Sequence, residues 1–494
     1  MTRTPRPPLA LLPALAVLAV LAAGAPGAAG AGQAPPASAT APPPAATAPP
    51  PAATAPPPAA TAPPPAAPAP PAGAPPDLLT APAAGPPVRL TLQAAEAEAL
   101  RSHPQVLAAQ DASAEAQQLL RESRAAYYPT INAEITGSLG NKDARIGAGA
   151  LTASRLFNRE GQGLVLSQLI TDSGRTPNLV GSARAHAGAA GQTYQATRAG
   201  VVLAVDRAYF DALQAQAVVS VAQQAVAARQ AVADQTGELA RNNLKSQLDV
   251  SFAGVNLAEA RLLLIRAQAR ALGARDELAR EMGSQEVGNY VLEDPPLPAS
   301  PGAGAEAMVV TALAQRPDLA SLRLDRDAAA RFEQAERDLK RPVVSLVGVA
   351  GSVPLIGPDA ATVPDHYEGA ALNFDVPIWN GHLYAARQSA AHYRTLAAEQ
   401  RVRDLEEIIA RDVRSAWAAA MTAYQSLAVA AEYQHQATLA MSLAQGRYDL
   451  GLASIVELTQ AQLNVTQAEI ENATARYDFA AQSAALQYTV GALH

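Results

Sequence analysis

The sequence predicts a mixed α/β chain of long helices and a few strands, laid out twice from end to end. Three observations carry that reading. Two helix tips of matching design lie 208 positions apart, at Asn243 and Gly451. Two proline-free helical runs, near Asn178–Arg241 and Gly381–Tyr448, far exceed what one globular core requires; at about 1.5 Å per residue each would reach roughly 100 Å. Two short extended runs precede each long helix, and half of them alternate oily and polar side chains as a two-faced strand does.

Composition narrows the setting. The chain has 494 residues, a formal net charge of −7, no cysteine and 4% aromatic residues. That length allows two or three ordinary domains or one elongated body. Mild acidity argues against a nucleic-acid footprint, which would be basic and clustered. The lack of cysteine excludes disulfides, thiolate metal sites and a lipidated N-terminal cysteine. Residues 1–31 read as a secretory signal: Arg3 and Arg6 open it, Leu9 to Ala23 form an apolar core, and Ala29-Gly30-Ala31 supplies a small-residue cleavage site. The alternative, a retained anchor, is disfavoured by the short apolar run. No later segment approaches about 20 uninterrupted apolar residues, so a membrane-crossing part would have to be a β-barrel.

Residues 32–87 form a low-complexity tract with Pro-Pro-Pro-Ala-Ala-Thr-Ala repeated from Pro42. Such sequence favours polyproline II and cannot bury a core, so it reads as a tether or an inert spacer. Deleting Gln33–Pro87 is expected to leave assembly intact. The ordered chain then divides into a first repeat at 88–283, a connector at 284–303 and a second repeat at 304–494. His103-Pro104 matches Arg316-Pro317, each proline near a helix start where a missing N–H is harmless. Tyr128-Pro129 matches Arg341-Pro342, each proline ending a helix and opening an extended run. Gly283 matches Gly491 and closes each copy. Each copy therefore runs helix, strand, strand, long helix, tip, helix.

Among the strands, Thr130 to Leu139 sets Ile131, Ala133, Ile135 and Leu139 against Asn132, Glu134, Thr136 and Ser138. Its return, Gln162 to Ile170, alternates poorly. Val343 to Ser352 is almost continuously apolar, and Glu368 to Val376 sets Ala370, Leu372, Phe374 and Val376 against Ala371, Asn373 and Asp375. The pattern fits a barrel wall, oily outside and polar inside, or a soluble hairpin packed on a helix. The long helices carry small residues, such as Ala416, Ala419, Ala420 and Ala423. Large apolar residues are too sparse for an isolated zipper, so a many-helix tube fits better.

The tips hold the candidate site. At the second tip Gly451 supplies a positive-φ stop, and Ser454 with Glu457 forms an S-x-x-E capping box. At the first, Asn243 replaces the glycine, with Ser246 and Asp249 as the box. Gly451, Leu452, Asn243 and Leu244 shape the turns. Glu457 and Asp249 are helix-start acids, each at the third helical position after a serine cap. Tyr448 is a helix-end aromatic whose ring buries area whether or not its hydroxyl finds a partner. Trp379 and Tyr367 are membrane-interface aromatics or packing at a barrel–helix join.

No chemistry competes. The seven histidines are scattered, with no His-Glu-x-x-His, no second metal ligand at spacing, no Gly-x-Ser-x-Gly and no phosphate loop. The helix carboxylates sit three or four positions from arginines, as Asp404 does from Arg401 and Glu407 from Arg403 and Arg411, which marks solvated faces. The chain is expected to be no enzyme and to bind no cofactor or metal.

Four strands leave open edges, which lipid does not tolerate; three copies give twelve strands and a barrel of permitted size. The duplicated body, Tyr128-Pro129, Pro377-Ile378-Trp379-Asn380-Gly381 and, above all, Arg447-Tyr448-x-x-Gly451-x-x-Ser454-x-x-Glu457-Leu458-x-x-Ala461-Gln462 resemble the TolC-like outer-membrane efflux channel family. The resemblance implies a homotrimer whose twelve-stranded barrel sits in outer-membrane lipid, continuous with a long α-helical barrel in the periplasm. It implies a passive duct for efflux or type I secretion, working with a periplasmic adaptor (membrane fusion) protein and an inner-membrane pump. By motif position Asp249 and Tyr448 would form a hydrogen-bonded pair at the aperture, and Glu457 an acidic ring. Gln460 stands where some relatives have a second acid, and Ala453 where they have an arginine, which implies a thinner closing network. Asn243, Leu244, Ser246, Gly451, Leu452 and Ser454 would dock the adaptor. The competing class is a soluble periplasmic coiled-coil adaptor, which would not repeat strand–strand–helix twice.

Overall fold

The computed structural model describes residues 88–138, 145–146, 154–155, 159–284, 290–302, 304–353 and 366–493. Leu139, expected to extend the first strand, lies outside the described residues. In order come β1 (Val88–Leu90), α1 (Leu92–Ser102), α2 (Pro104–Ala125), β2 (Thr130–Ser138), β3 (Arg145–Ile146), β4 (Ser154–Arg155), β5 (Arg159–Thr171), α3 (Arg175–Arg241) and α4 (Gln247–Glu281). Then follow β6 (Tyr290–Leu292), α5 (Ala305–Gln315), α6 (Pro317–Asp338), β7 (Val343–Ser352), β8 (His366–Asp375), α7 (Leu383–Asp449) and α8 (Ile455–Val490). Both α3 and α7 have 67 residues. The expected α3 started after Pro177; the helix takes that proline into its first turn, where no N–H is required of it.

Each pair of short helices turns at a proline corner. His103 and Arg316 are the N-caps, and Pro104 and Pro317 open the second helix of each pair. A closing glycine packs on each corner. A Cβ at Gly283 would lie 2.8 Å from the His103 Cα, and one at Gly491 would lie 3.2 Å from the Arg316 amide. Both glycines also hold positive φ, so each place demands glycine twice over.

The long helices pack lengthwise: α3 against α2, α4, α6 and α8, and α7 against α6 and α8. The main core surrounds Tyr209, Phe210, Leu213, Leu278 and Met282, and a second gathers Leu319, Ile409 and Val413. The fully buried Tyr209 hydroxyl bonds the carbonyls of Leu90 (2.8 Å) and Glu293 (2.6 Å), pinning the small parallel β1–β6 sheet to α3. No described helix is long and apolar enough to cross a membrane.

Four strands form an antiparallel meander in the order β2-β5-β7-β8. Register aligns Ile131 with Leu166, Leu166 with Gly348, and Gly348 with Ala370; Ala133, Leu164 and Ala350 run beside them. One face is thus mostly apolar, and Ile131, Ile135, Leu372 and Phe374 stand exposed on it. The other carries Asn132, Glu134, Thr136, Asn373 and Asp375. β5 alternates poorly because Val165 and Leu169 lie on that polar face.

Tyr367 needs a correction. It sits at the start of β8, at the opposite end from the helix junction, directly across from Gly351, itself opposite Gly163. A Cβ at either glycine would come 2.6 Å from the Tyr367 hydroxyl. The ring therefore lies over two glycines on the polar face, filling the gap they leave. It is thus not packing at the strand–helix join, which lies at the other end of β8. Trp379, by contrast, is 83% exposed beside Ile378 at the strand–helix junction.

Beneath the sheet, buried acids tie the helix ends together. Asp172 accepts from both the amide and the hydroxyl of Thr176 at 2.6 Å. Asp338 takes Asn178 at 2.9 Å and pairs with Arg341 at 3.1 Å. Glu336, 2% exposed, receives Arg387 through two bonds of 2.6 and 2.9 Å. A bidentate, charge-assisted pair of this kind fixes geometry more than it adds net stability.

Candidate functional site: the paired helix tips

Both tips are built by the same backbone chemistry. At the first, Asn243 has φ +57, its amide donates to Ala240 O (3.0 Å), and the Leu244 amide donates to Leu239 O (2.8 Å). At the second, Gly451 has φ +72, its amide donates to Tyr448 O (3.0 Å), and the Leu452 amide donates to Arg447 O (2.8 Å). These are Schellman endings, which satisfy carbonyls left over by the helix. A Cβ at Gly451 would meet nothing within 4 Å, so conformation alone asks for glycine there.

The helix starts differ. At the first tip the capping box is complete: Asp249 N donates to Ser246 Oγ (3.2 Å), while Asp249 Oδ2 accepts from Ser246 N (3.0 Å) and Oγ (2.7 Å). The Ser246 hydroxyl and amide hold the Asp249 carboxyl below its ordinary pKa, with Lys245 adding to the effect. At the second tip only half the expected box forms. Glu457 N donates to Ser454 Oγ at 3.3 Å, but the Glu457 carboxylate pairs with Arg447 Nε at 3.1 Å. Arg447 also donates to Leu452 O at 3.3 Å, so one guanidinium ties the helix end, the turn and the next helix together. Glutamate is longer than aspartate and reaches a charged partner that outcompetes its own cap amide.

The expected Asp249–Tyr448 hydrogen bond is absent from the described contacts, because both groups are engaged elsewhere. Tyr448 is 3% exposed, packed with Val232, Ile455 and Leu458. Its hydroxyl lies 3.3 Å from Thr236 Oγ1 on α3, and Lys245 Nζ sits 4.4 Å from its ring centroid. Tyr448 thus joins the two tips through Thr236 and Lys245. Gln460 is exposed and bonds Asn464 on its own helix at 3.0 Å. Leu244, Leu248, Leu450, Leu452 and Val456 are exposed at the tips.

Sequence reasoning passed over Thr236, Lys245 and the role of Arg447. Thr236 lies more than 200 positions from Tyr448, beyond any local signal. Arg447 and Glu457 are separated by a turn, so helical spacing does not pair them. The adjacency of Lys245 to the box was the one visible hint.

Lengthwise-packed helices ending in matched tips, joined to an open four-stranded meander with an apolar face, define a channel-wall class of chain. Residues 97–284 and 308–492 match the outer membrane efflux protein family, and the chain belongs to it. Outer membrane protein TolC of Salmonella enteritidis is 23% identical over 390 residues, covering 76% of each chain. TolC of Vibrio cholerae is 24% identical over 420 residues, covering 80% of this chain and 89% of that one. Among solved structures, the Campylobacter jejuni CmeC outer membrane channel superposes with a TM-score of 0.71 at 18% identity, over 81% of this chain and 85% of its own. The open state of the Neisseria gonorrhoeae MtrE outer membrane channel gives 0.68 at 20% identity, over 81% and 89%. The chain is therefore a transport protein of the outer membrane with its helical part in the periplasm, from a family of channels rather than enzymes.

Proposed function

We propose that three copies of this chain form a passive outer-membrane duct for efflux or type I secretion, gated at the periplasmic helix tips. The observation that supports it most is the sheet. Its apolar face is exposed, and its outer strands β2 and β8 each pair on one side only among the described residues. Open edges in hydrocarbon would leave backbone groups unsatisfied, whereas β8 of one copy meeting β2 of the next closes twelve strands. The long helices would then line a tunnel below the barrel. The like order of elements in 88–283 and 304–494 is read as an internal duplication, with 284–303 as connector, 1–31 as signal and 32–87 as tether.

At the aperture, Tyr448 with Lys245 and Thr236 would hold each chain's two tips together, and Glu457, half neutralised by Arg447, would face the opening with Gln460. Asp249 serves its cap first. The exposed leucines at Asn243–Leu244 and Gly451–Leu452, flanked by Ser246 and Ser454, suit an apolar-tipped adaptor protein bridging to an inner-membrane pump. Family membership removes the support for a soluble coiled-coil adaptor.

The native chain has no cysteine, which makes the closure directly testable. Cysteines paired as Asn132→Cys in β2 with Asn373→Cys in β8, and neighbouring pairs on the same face to sample register, should oxidise between copies. Covalent dimers and trimers on a non-reducing denaturing gel are expected. Monomer from every pair, with folded protein confirmed, would overturn the barrel closure while leaving the family assignment untouched.

A further inference from the structure

The seam between β8 and α7 carries a surface that the helix packing does not use. Ile378 and Trp379 are 95% and 83% exposed, and they continue the exposed apolar row of Leu372, Phe374 and Val376 past the end of the strand. Beside them opens a hollow of about 310 Å³, walled in part by Lys340, Trp379, Asn380, His382 and Tyr384, with no carboxylate in its lining. Lys340 donates to Gln388 Oε1 at 2.8 Å and has no ion pair among the described residues, which leaves ammonium donors to spare. His382 stands before α7 at φ +68, and its side chain makes no capping bond. A positive φ is uncommon in any residue but glycine and persists only where the surroundings fix it. The neighbouring acids are taken: Glu336 by Arg387 and Asp338 by Arg341. Asp375 lies on the polar face of the sheet and lines an adjoining hollow with Arg175 and Arg341.

The four strands have 9 to 13 residues, the length that a tilted strand needs to cross hydrocarbon. On the duct reading above, on which this inference rests, the residues just past β8 and just before β7 therefore lie at headgroup depth in the periplasmic leaflet. Exposed aromatic and apolar side chains beside bases suit the boundary between acyl chains and headgroups. We infer that this hollow binds the headgroup of an anionic phospholipid. Lys340 takes the phosphate, His382 and the Trp379 indole N–H hydrogen-bond it, and the acyl chains run over Ile378, Val376 and Phe374. A zwitterionic headgroup offers the same phosphate, but it brings its own cation towards Lys340 with no acid in the lining to receive it.

The chain has two tryptophans, so Trp417→Phe leaves Trp379 as the only fluorophore of its kind. That full chain, reconstituted in phosphatidylcholine vesicles, is compared with equal fractions of brominated phosphatidylglycerol or brominated phosphatidylcholine. Trp379 quenching should favour phosphatidylglycerol about fivefold, the worth of one lysine beside anionic lipid. Lys340→Glu should abolish or reverse the preference, Lys340→Arg should keep it, and His382→Asn, which tolerates positive φ, should reduce it. Arg394→Gln removes an equal charge further along α7 and should leave it unchanged. Flotation with the vesicles reports insertion, and circular dichroism the fold of each variant. Inserted protein with unquenched Trp379 would mean that a second copy covers this surface. Equal quenching by both lipids, or a preference unmoved by Lys340→Glu, would leave only hydrocarbon contact. Each of these results overturns the headgroup site and leaves the duct reading standing, whereas failure to insert would overturn both.

Discussion

Asp206 shows what a single residue discloses only in three dimensions. It is 3% exposed on α3, and one carboxyl oxygen has no partner among the described residues. Burial first, then the charge of Glu96 and a hydrogen bond to it, push its pKa from 3.8 to about 8. Below pH 3.8 both folded and unfolded chains hold this proton. From there to about pH 8 the unfolded chain releases it while the folded chain keeps it, so the group's contribution falls as pH rises through that window. Asp206→Asn supplies a neutral donor to Glu96 and should raise stability near pH 7.5 by on the order of 1–2 kcal/mol. Its thermal midpoint should vary less between pH 5 and pH 8 than that of the wild type, at roughly one unit of resolution in pH. An equally steep profile in Asp206→Asn would show that the carboxyl pair does not govern that range. Helical spacing reports a neighbour on the same helix, and Glu96 lies on another, so nothing in the sequence singles Asp206 out.

At the scale of elements the tips were largely legible because their determinants are local. Asn243 and Gly451 were assigned positive φ from residue type and position, and both adopt it. The two long helices, β2 and β7 were likewise readable to within a few residues, since a proline or a change of period marks each boundary. What was not readable depends on contacts across the fold. Tyr367 was misplaced because its partners Gly351 and Gly163 come from two other strands. Glu457 was given to Ser454, when a turn brings Arg447 within 3.1 Å. The equivalence of the two turns can be checked by exchange. Asn243→Gly should be neutral within about 0.5 kcal/mol, whereas Gly451→Val should cost about 1–2 kcal/mol through backbone strain alone, since space there is open. Thermal unfolding of the two variants measures both, and a neutral Gly451→Val would mean that the turn tolerates another conformation.

For the whole molecule, the question is how tightly the proposed entrance is held. The Thr236–Tyr448 contact is a long neutral hydrogen bond worth about 0.5–1 kcal/mol. The Lys245–Tyr448 contact adds a cation–π term of about 0.5–1 kcal/mol where it is partly desolvated. Arg447–Glu457 is half exposed and is screened accordingly, so it contributes under about 1 kcal/mol. Removing the first two together, in Lys245→Met/Tyr448→Phe, therefore shifts an open–closed balance by roughly 1–2 kcal/mol in each chain, about tenfold in population. Single-channel recording in planar bilayers should show a small wild-type conductance that rises in the double variant. Asp249→Ala, which disturbs a cap rather than a link between tips, should leave it near the wild-type level. The opposite ranking, with Asp249→Ala opening the channel and the double variant silent, would return the latch to Asp249 and mean that the closed assembly draws it out of its cap. Conductance already large in the wild type and unchanged in the double variant would keep the channel and discard the tips as what holds it shut.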